Sequence, residues 1–594
     1  MKLKNIFILS SALVALSSCD DLFEPAIENQ QDLSQMYKDK EFARGIIANA
    51  FMLLPYSGSS ISDVATDDAV SNDNTNSYLK MATGSWTSQN DPMSQWQNRY
   101  NAIQYCNIML ENVDLVEWST GDPVLNQMYI DQFKGNSYAM RALQLFYVLR
   151  AHAGVSQNGE LLGGQIHLSS EDGGSDFNQP RATFAECIAQ IFSDLDEAEK
   201  LLPYQYGNVG QGDPALSKYQ RATNAQYNRA FGDHERGKID GRIIGAIRAQ
   251  VALFAASPAY ESAGACTWQQ AAEYAASVLV KNGGLASMQK DGWTWYNNDQ
   301  EIANLGTGEN PAEIIWRDNV EKNHSRESDN YPPSIFGSGR INPSHNLVKA
   351  FPMANGYPTD NAASGYNENK PYEGRDPRLA AYILCNGQSI GVDNTEIVTG
   401  TYMTDNSSGI DYEVGRSTRT GYYLHKLLRN DVNLATGKET DQQHYTARIR
   451  FTEIFLAYAE AANEAGGPTA TFGGANFSAK DVIKAIRQRA GVGGQNDPYL
   501  ESCSSKEAMR DLIRNERRIE LCFENHRFYD LRRWKVDLNE GVKGIVITQK
   551  NSDGSIVYSV KDVEARNYKE YMYYGPIPYG ETLKWSNLQQ NQGW

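Results

Sequence analysis

The sequence predicts a mainly α-helical fold: an array of antiparallel helix pairs, broken by a large loop-rich insertion with a few short strands. Three observations carry this. Apolar residues recur at helical spacing through residues 95–281 and again through 450–523. Two of the periodic stretches carry small-residue faces suited to close packing, Ala246, Ala249, Ala252, Ala255 and Ala256 in one and Ala457, Ala459, Ala461 and Ala462 in the other. Between them, residues 283–445 are rich in Gly, Pro, Asn, Asp and Tyr and hold only short apolar runs such as Glu313-Ile314-Ile315-Trp316, far longer than a compact connection needs. The chain has 594 residues, 41% apolar and 21% charged, which is a globular composition long enough for a sizeable core. A net charge of −17 repels phosphate backbones, so nucleic acid is excluded as the expected partner.

The elements follow in chain order. Lys2 and Lys4 precede an apolar stretch from Ile6 to Leu16, too short to cross a bilayer, and residues 1–18 read as a signal peptide. Its end, Leu16-Ser17-Ser18-Cys19, resembles the lipobox of bacterial lipoproteins, in which Cys19 would carry the lipid and anchor the mature chain without spanning the membrane. Residues 19–30 form an acidic linker, and acidic residues directly behind the lipid cysteine look like a surface-export signal of glycan-foraging Gram-negative bacteria. The N-terminal helical part, 31–282, holds Trp96, Tyr100, Ile103, Asn107 and Leu110 on one helix face. Helices are expected at about 95–117 paired with 129–153, 183–202 paired with 240–257, and 268–281 standing apart. Residues 204–238 are a smaller excursion. The irregular part, 283–447, is expected to face ligand. The C-terminal part, 448–594, adds helices at 450–465 and 478–490, another from Ser505 to Phe523, and a β-hairpin that joins 546–548 to 556–558 around Asp553-Gly554. Such pairs are tetratricopeptide-like.

Several segments, in order along the mature chain, resemble the SusD/RagB family of surface lipoproteins. They are Trp96-x3-Tyr100-x2-Ile103-x3-Asn107, Ala255-Ala256-Ser257-Pro258-Ala259-Tyr260, Arg375-Asp376-Pro377-Arg378-Leu379, Arg450-Phe451-Thr452-Glu453-Ile454, Arg514-Asn515-Glu516-Arg517-Arg518-Ile519-Glu520-Leu521, Arg527 to Trp534, and the closing Gln590-Asn591-Gln592-Gly593-Trp594. One departure is Trp585-Ser586-Asn587-Leu588, where the family usually has Asn-Pro. The resemblance implies about four tetratricopeptide-like helix pairs, a non-catalytic role in capturing oligosaccharide at the outer-membrane surface, and delivery to a SusC-like TonB-dependent transporter. A peptide-capturing relative of the same fold and a surface glycoside hydrolase are the alternatives.

Candidate ligand-binding residues follow from sugar chemistry. A pyranose has an apolar C–H face and a hydroxyl rim, so its receptor needs flat aromatic platforms beside Asp, Asn, Gln or Arg. Trp86 lies in the polar run Thr83-Gly84-Ser85-Trp86-Thr87-Ser88-Gln89-Asn90, where nothing local demands an apolar ring, and Asp67, Asp68 and Asn90 are nearby acceptors. Trp293 and Tyr296 form a second aromatic group, Trp316 follows a strand whose alternation turns one of Ile315 and Trp316 outward, and Tyr331 and Arg375 complete the set. Trp96 is expected in the core. The charged run from Arg510 to Trp534 reads as a helix-surface salt-bridge network. Cofactors are not expected, although Asp63, Asp67, Asp68 and Asp73 are considered for calcium. No HExxH, GxSxG, Walker A or EF-hand loop occurs. The six cysteines after Cys19 lack a CxxC pair and read as small buried residues.

Overall fold

The computed structural model describes residues 37–55, 61–400, 410–412, 417–550 and 555–594. Cys19 and its acidic linker lie outside the described residues, as does the turn of the C-terminal hairpin.

Helices begin where side chains satisfy the bare amides of the first turn. Helix α1 is Lys40–Met52, entered at Asp39, whose carboxylate accepts from the amides of Glu41 and Phe42. Its sequence was not read as a helix. Helix α2 is Trp96–Asn112. Helix α3, Pro123–His152, starts two turns before its expected position because Asp122 caps it and Pro123 fits the first helical turn. Thr183 and Glu186 close a capping box on α4, Phe184–Leu201. The excursion that follows contains α5, Asn224–Phe231, which has its own Thr223/Gln226 box and packs on α3. Asp240 caps α6, Gly241–Ala256, and Thr267 with Gln270 caps α7, Trp268–Lys281.

These helices stack in sequence, α1 on α2, α2 on α3, α3 on α4, α4 on α6 and α6 on α7. Glycines set the closest approaches. A Cβ on Gly135 of α3 would meet Leu202 Cγ at 2.5 Å, and one on Gly245 of α6 would meet Val278 Cγ2 at 2.9 Å. Helix α7 does not stand apart as expected. Its small face, Ala271, Ala272, Ala275 and Ala276, is wholly buried, and α7 packs both on α6 and on a helix that arrives more than 160 residues later.

That partner lies beyond the irregular part, whose strands form only two-stranded ladders among the described residues. Strand β1, Ala69–Ser71, pairs antiparallel with β3, Ile341–Pro343, and β2, Ile314–Arg317, pairs with β4, Ala447–Arg450. Helix α8, His345–Ala350, follows β3 and is capped by Ser344. The array then resumes with α9, Phe451–Gly466, which packs on α7, on α10, Ala479–Arg489, and on α11, Lys506–Glu520. Helix α12 is Arg527–Arg533. The hairpin is longer than its central residues suggested, with β5, Val542–Lys550, against β6, Ser555–Glu564, and Val546 opposite Ser559.

The helical stretches on either side of the irregular part share one apolar cluster, from Ala43 to Leu521. A second cluster fills the irregular part and includes Val64, Trp295, Tyr382, Phe523 and Ile547. The fold is thus mainly helical and tetratricopeptide-like. Trp96 is buried against Val148, Ile577 and Leu588.

Candidate functional site

The aromatic residues chosen from sequence are mostly interior. Trp86 is 3% exposed. Its Nε1 donates to Asp91 Oδ1 at 2.9 Å, and Phe528, Tyr568 and Trp594 meet it edge-on at 5.9, 6.0 and 4.8 Å. One more neighbour is cationic, since the guanidinium of Arg532 lies 5.1 Å from the indole. The polar residues beside Trp86 in sequence say nothing about its ring partners, Phe528, Arg532, Tyr568 and Trp594, which come from the last seventy residues of the chain. Trp86 is a core residue, with no face left for a sugar.

Trp316 is corrected for a related reason. Alternation exposes one face of a strand only if that face meets water, and β2 is covered on both sides, so Ile315 and Trp316 are both buried. The Trp316 Nε1 donates to the Gly237 carbonyl at 3.1 Å, and Arg448 stacks 5.5 Å from the ring. Tyr296 is buried with its hydroxyl on Ala381 O at 2.9 Å, and Tyr331 is buried with its hydroxyl on Arg429 O. Trp293 is half-buried, edge-on to Tyr382. Arg375 is buried too, donating to the carbonyls of Pro371, Val348 and Phe351 at 2.7, 2.6 and 2.7 Å. Asn90 alone of the set is exposed, in a tight turn in which its amide donates to Ser85 O. The set does not line one groove.

Asp67 and Asp68 are buried against two guanidiniums. Arg518 reaches Asp68 Oδ1 and Asp67 Oδ2, both at 2.7 Å, and Arg527 reaches Asp67 Oδ1 at 3.0 Å and Oδ2 at 2.9 Å. Against the penalty of burial, Arg518 and Arg527 pull the Asp67 carboxyl well below the carboxylate range, whereas burial pushes Asp68 up. Asp63 has no such partner. Burial, with the charge of Asp68 added, raises it to about 7, while its Oδ1 accepts from the Phe523 amide at 2.8 Å. Asp73 accepts from Thr75 instead, and no metal-ligating cluster forms among the described residues.

The charged run also differs from its expected form. Its arginines reach inward across the chain instead of pairing along an exposed helix. Arg517 and Arg533 hold Asp530, Arg533 makes a bidentate pair with Glu460 at 2.6 and 2.7 Å, and Arg378, fully buried, joins Asp376, Glu516 and Glu520. Arg450 meets Glu313, Glu520 and Glu524. Such buried pairs depend on every partner being present.

This ionic framework backs an open cleft of about 460 Å³. Its walls are α8, the loop 351–366, α10, α11 and the start of β5. The Asp67 and Asp68 carbonyls accept from Ser344, the α8 cap, at 2.6 and 2.8 Å, and Arg518 itself lines the cleft, so the two aspartates hold the wall from behind. Gly356, at φ +95°, lets the loop pass Asp497, because a Cβ there would lie 2.6 Å from Asp497 Oδ1. The Gly356 carbonyl accepts from Arg487 Nη2 at 2.7 Å. Next to it, Tyr357 and Tyr499 are half-exposed with ring centroids 5.8 Å apart, tilted by 59°. Lys349, Lys543, Asp360, Asp511 and Glu540 are exposed along the rim, and Asn346 donates to Glu540 Oε1 at 2.8 Å. Burial, followed by the charges of Lys349, Arg375 and Lys543, holds His345 down to about 4, so it is neutral at physiological pH. The cleft offers the half-exposed ring of Tyr499, donors and acceptors of both signs, and a fixed backbone. That combination suits a polyhydroxylated ligand.

Sequence reasoning missed Tyr357 and Tyr499. A signal existed for one, since Asn355-Gly356-Tyr357-Pro358 sets an aromatic ring inside a turn sequence.

Two family models cover most of the chain. One, described as the SusD family, matches residues 312–594, and the other, described as starch-binding associating with outer membrane, matches residues 24–227. This chain belongs to the SusD/RagB family. Among its SusD relatives is the SusD-like protein P38 of Formosa agariphila, 23% identical over 556 residues, with 89% of this chain and 91% of the relative covered. A SusD-like protein of Bacteroides fragilis has the same fold, with a TM-score of 0.70, 22% identity, and 96% of this chain and 100% of that chain covered. A SusD-like carbohydrate-binding protein of the same species superposes with a TM-score of 0.66 at 17% identity, over 93% of this chain and 99% of that one. Within this SusD-like fold the cleft draws on α8 and the loop after it as well as on the C-terminal helices, and all of its lining falls inside the segment matched by the SusD model.

Proposed function

We propose that this SusD-family chain is a non-catalytic, lipid-anchored protein of the outer-membrane surface that binds oligosaccharide in the α8–α11 cleft. From there it delivers the sugar to a SusC-like TonB-dependent transporter. The observation that carries this reading is the half-exposed Tyr499 of the cleft wall, with the Tyr357 ring 5.8 Å behind it, beside the rim groups Lys349, Asp360, Asp511 and Lys543. Tyrosine presents an apolar face and a hydroxyl with little entropy to lose, and charged rim groups bond vicinal hydroxyls in two-point fashion. The family descriptions and the lipobox-like segment at Cys19 support the location and the class of ligand.

A non-catalytic role is supported by the placement of the cleft carboxylates. Asp360, Asp511 and Glu540 are all solvent-exposed, whereas a glycosidase keeps its general acid protonated by burial.

The test uses the chain lacking residues 1–19. Electrophoresis through gels containing amylopectin, laminarin, xylan, pectin or ulvan retards the wild type in at least one gel. Tyr499→Ala and Tyr357→Ala each lose most of that retardation while keeping the wild-type melting temperature within a few degrees. No new reducing ends appear. Unchanged retardation in both folded variants removes the cleft as the site, and release of reducing ends removes the non-catalytic reading.

A further inference from the structure

A second cavity lies where the helical array meets the irregular part. Its volume is about 80 Å³. One water requires roughly 10–15 Å³ on this measure, so the space holds a small water cluster or one compact polyatomic ion, and it is too small for a sugar chain. Arg150 of α3, Trp295, Arg326, Arg448 and His526 line it.

Three features set it apart from packing voids. Trp295 is 3% exposed, and its Nε1–H, a donor that an interior normally satisfies, has no hydrogen-bond partner among the described residues. The charged lining is dominated by guanidinium groups. The one carboxylate among its described lining residues, Glu524, is already held by Lys426 Nζ at 2.6 Å and by Arg450 Nε and Nη2 at 2.8 and 3.0 Å. Arg326 spends Nη2 on Tyr445 O and Thr446 Oγ1 at 3.2 and 2.9 Å, and Arg448 is tied to Asp318 and the Pro55 carbonyl. Burial holds His526 below its ordinary range, so it adds no charge at neutral pH. Finally, the backbone around the cavity is left-handed at three residues other than glycine, Leu427, Phe523 and Asn525, with φ of 72°, 62° and 64°. Such conformations are costly for residues with a Cβ and cluster at sites built for a ligand.

We propose that this cavity binds a small oxyanion, with the Trp295 Nε1–H and the surrounding guanidinium groups as donors. A carboxylate or sulfate presents three or more acceptor lone pairs in a radius that the cavity accommodates, and it supplies the acceptor that Trp295 lacks. The oxyanion is either a free inorganic ion or the acidic group of a single sugar residue. The inference does not rest on the cleft reading.

The test is a soak of wild-type crystals in 10 mM sodium selenate, or in 10 mM glucuronate, with anomalous data collected at the selenium edge for the first. Calorimetric titrations of the same ligands into wild type and Trp295→Phe accompany it. An anomalous peak within hydrogen-bond distance of Trp295 Nε1 is expected, with selenate affinity weakened about tenfold in Trp295→Phe, the loss of one charge-assisted hydrogen bond. Selenate without glucuronate identifies a free ion, and glucuronate without selenate identifies a sugar acid. A cavity that holds only water in both soaks overturns the proposal, as does equal affinity in Trp295→Phe. Arg326→Lys, which keeps the charge and changes the fork, serves as a second variant should the first fold poorly.

Discussion

Asp63→Asn gives a pH signature whose size follows from the structure. Asp63 is fully buried, one carboxylate oxygen takes the Phe523 amide, and the other has no hydrogen-bond partner among the described residues. Its folded-state value of about 7 stands against 3.8 for the free side chain. Because the folded value is raised, the native state holds a proton that the unfolded chain has released between those limits, so stability falls as pH rises through that window. At 1.36 kcal/mol per unit the whole effect is about 4 kcal/mol, of which about 3 kcal/mol falls between pH 5 and pH 8. The buried histidines His152 and His345, both held down to about 4, act in the opposite sense below pH 6.5, and strongly paired carboxylates such as Glu524, at about 2, matter only below pH 4.5. The clean readout is therefore the difference between variant and wild type. Urea unfolding followed by tryptophan fluorescence at half-unit steps from pH 5 to 8.5 should show the variant gaining about 3 kcal/mol on the wild type between pH 5 and pH 8. A difference that stays flat across the range would mean that Asp63 is ionised throughout, and the account of its burial would be wrong.

Trp86→Ala should lower stability by about 3–5 kcal/mol, because it empties a packed aromatic cluster and strips Asp91 of its donor; a variant that melts like wild type would return Trp86 to the surface. Glu460→Gln weakens the Arg533 bidentate pair and turns a donor toward a guanidinium, at a cost of about 3 kcal/mol or more in chemical denaturation, and a loss below 1 kcal/mol would show the pair to be solvated. Gly356→Ala should lose cleft binding together with about 1–3 kcal/mol of stability, from a left-handed φ and a contact of 2.6 Å with Asp497; unchanged gel retardation would refute the fixed loop. The six described cysteines are buried, and burial pushes Cys187 and Cys385 up to about 12, so in the chain lacking residues 1–19 a thiol reagent at pH 8 should label them only as fast as the protein unfolds.

Helical architecture was legible because periodicity and caps are local. The expected stretches near 95–117, 183–202, 240–257, 268–281 and 450–465 all hold helices, and Ser257-Pro258 and Gly283-Gly284 end two of them as turn residues should. What failed was pairing. Helix α7 looked solitary because its second partner, α9, lies beyond the whole irregular part. The aromatic candidates failed for the same physical reason: the polar residues next to Trp86 describe its chain neighbours, whereas Phe528, Tyr568 and Arg532 determine its environment. In this chain several indoles face guanidinium groups, Trp86 with Arg532, Trp316 with Arg448 and Trp534 with Arg514, an interior use of flat rings that composition cannot separate from sugar stacking. Asp67 and Asp68 were chosen as ligand acceptors, and they stand instead behind the cleft wall, through Ser344 and Arg518.

The clasp between Asp67, Asp68, Arg518 and Arg527 joins positions some 450 residues apart in the chain, and neither side tolerates the loss of the other. Inheritance is constrained accordingly. A lineage that changes one of these acids leaves a largely buried cation short of a partner at the back of the cleft, and one that changes an arginine strands a buried carboxylate, so changes at 67, 68, 518 and 527 should persist mainly as matched sets. Distant cousins should therefore carry the whole quartet or an apolar replacement of all of it, with few intermediates between.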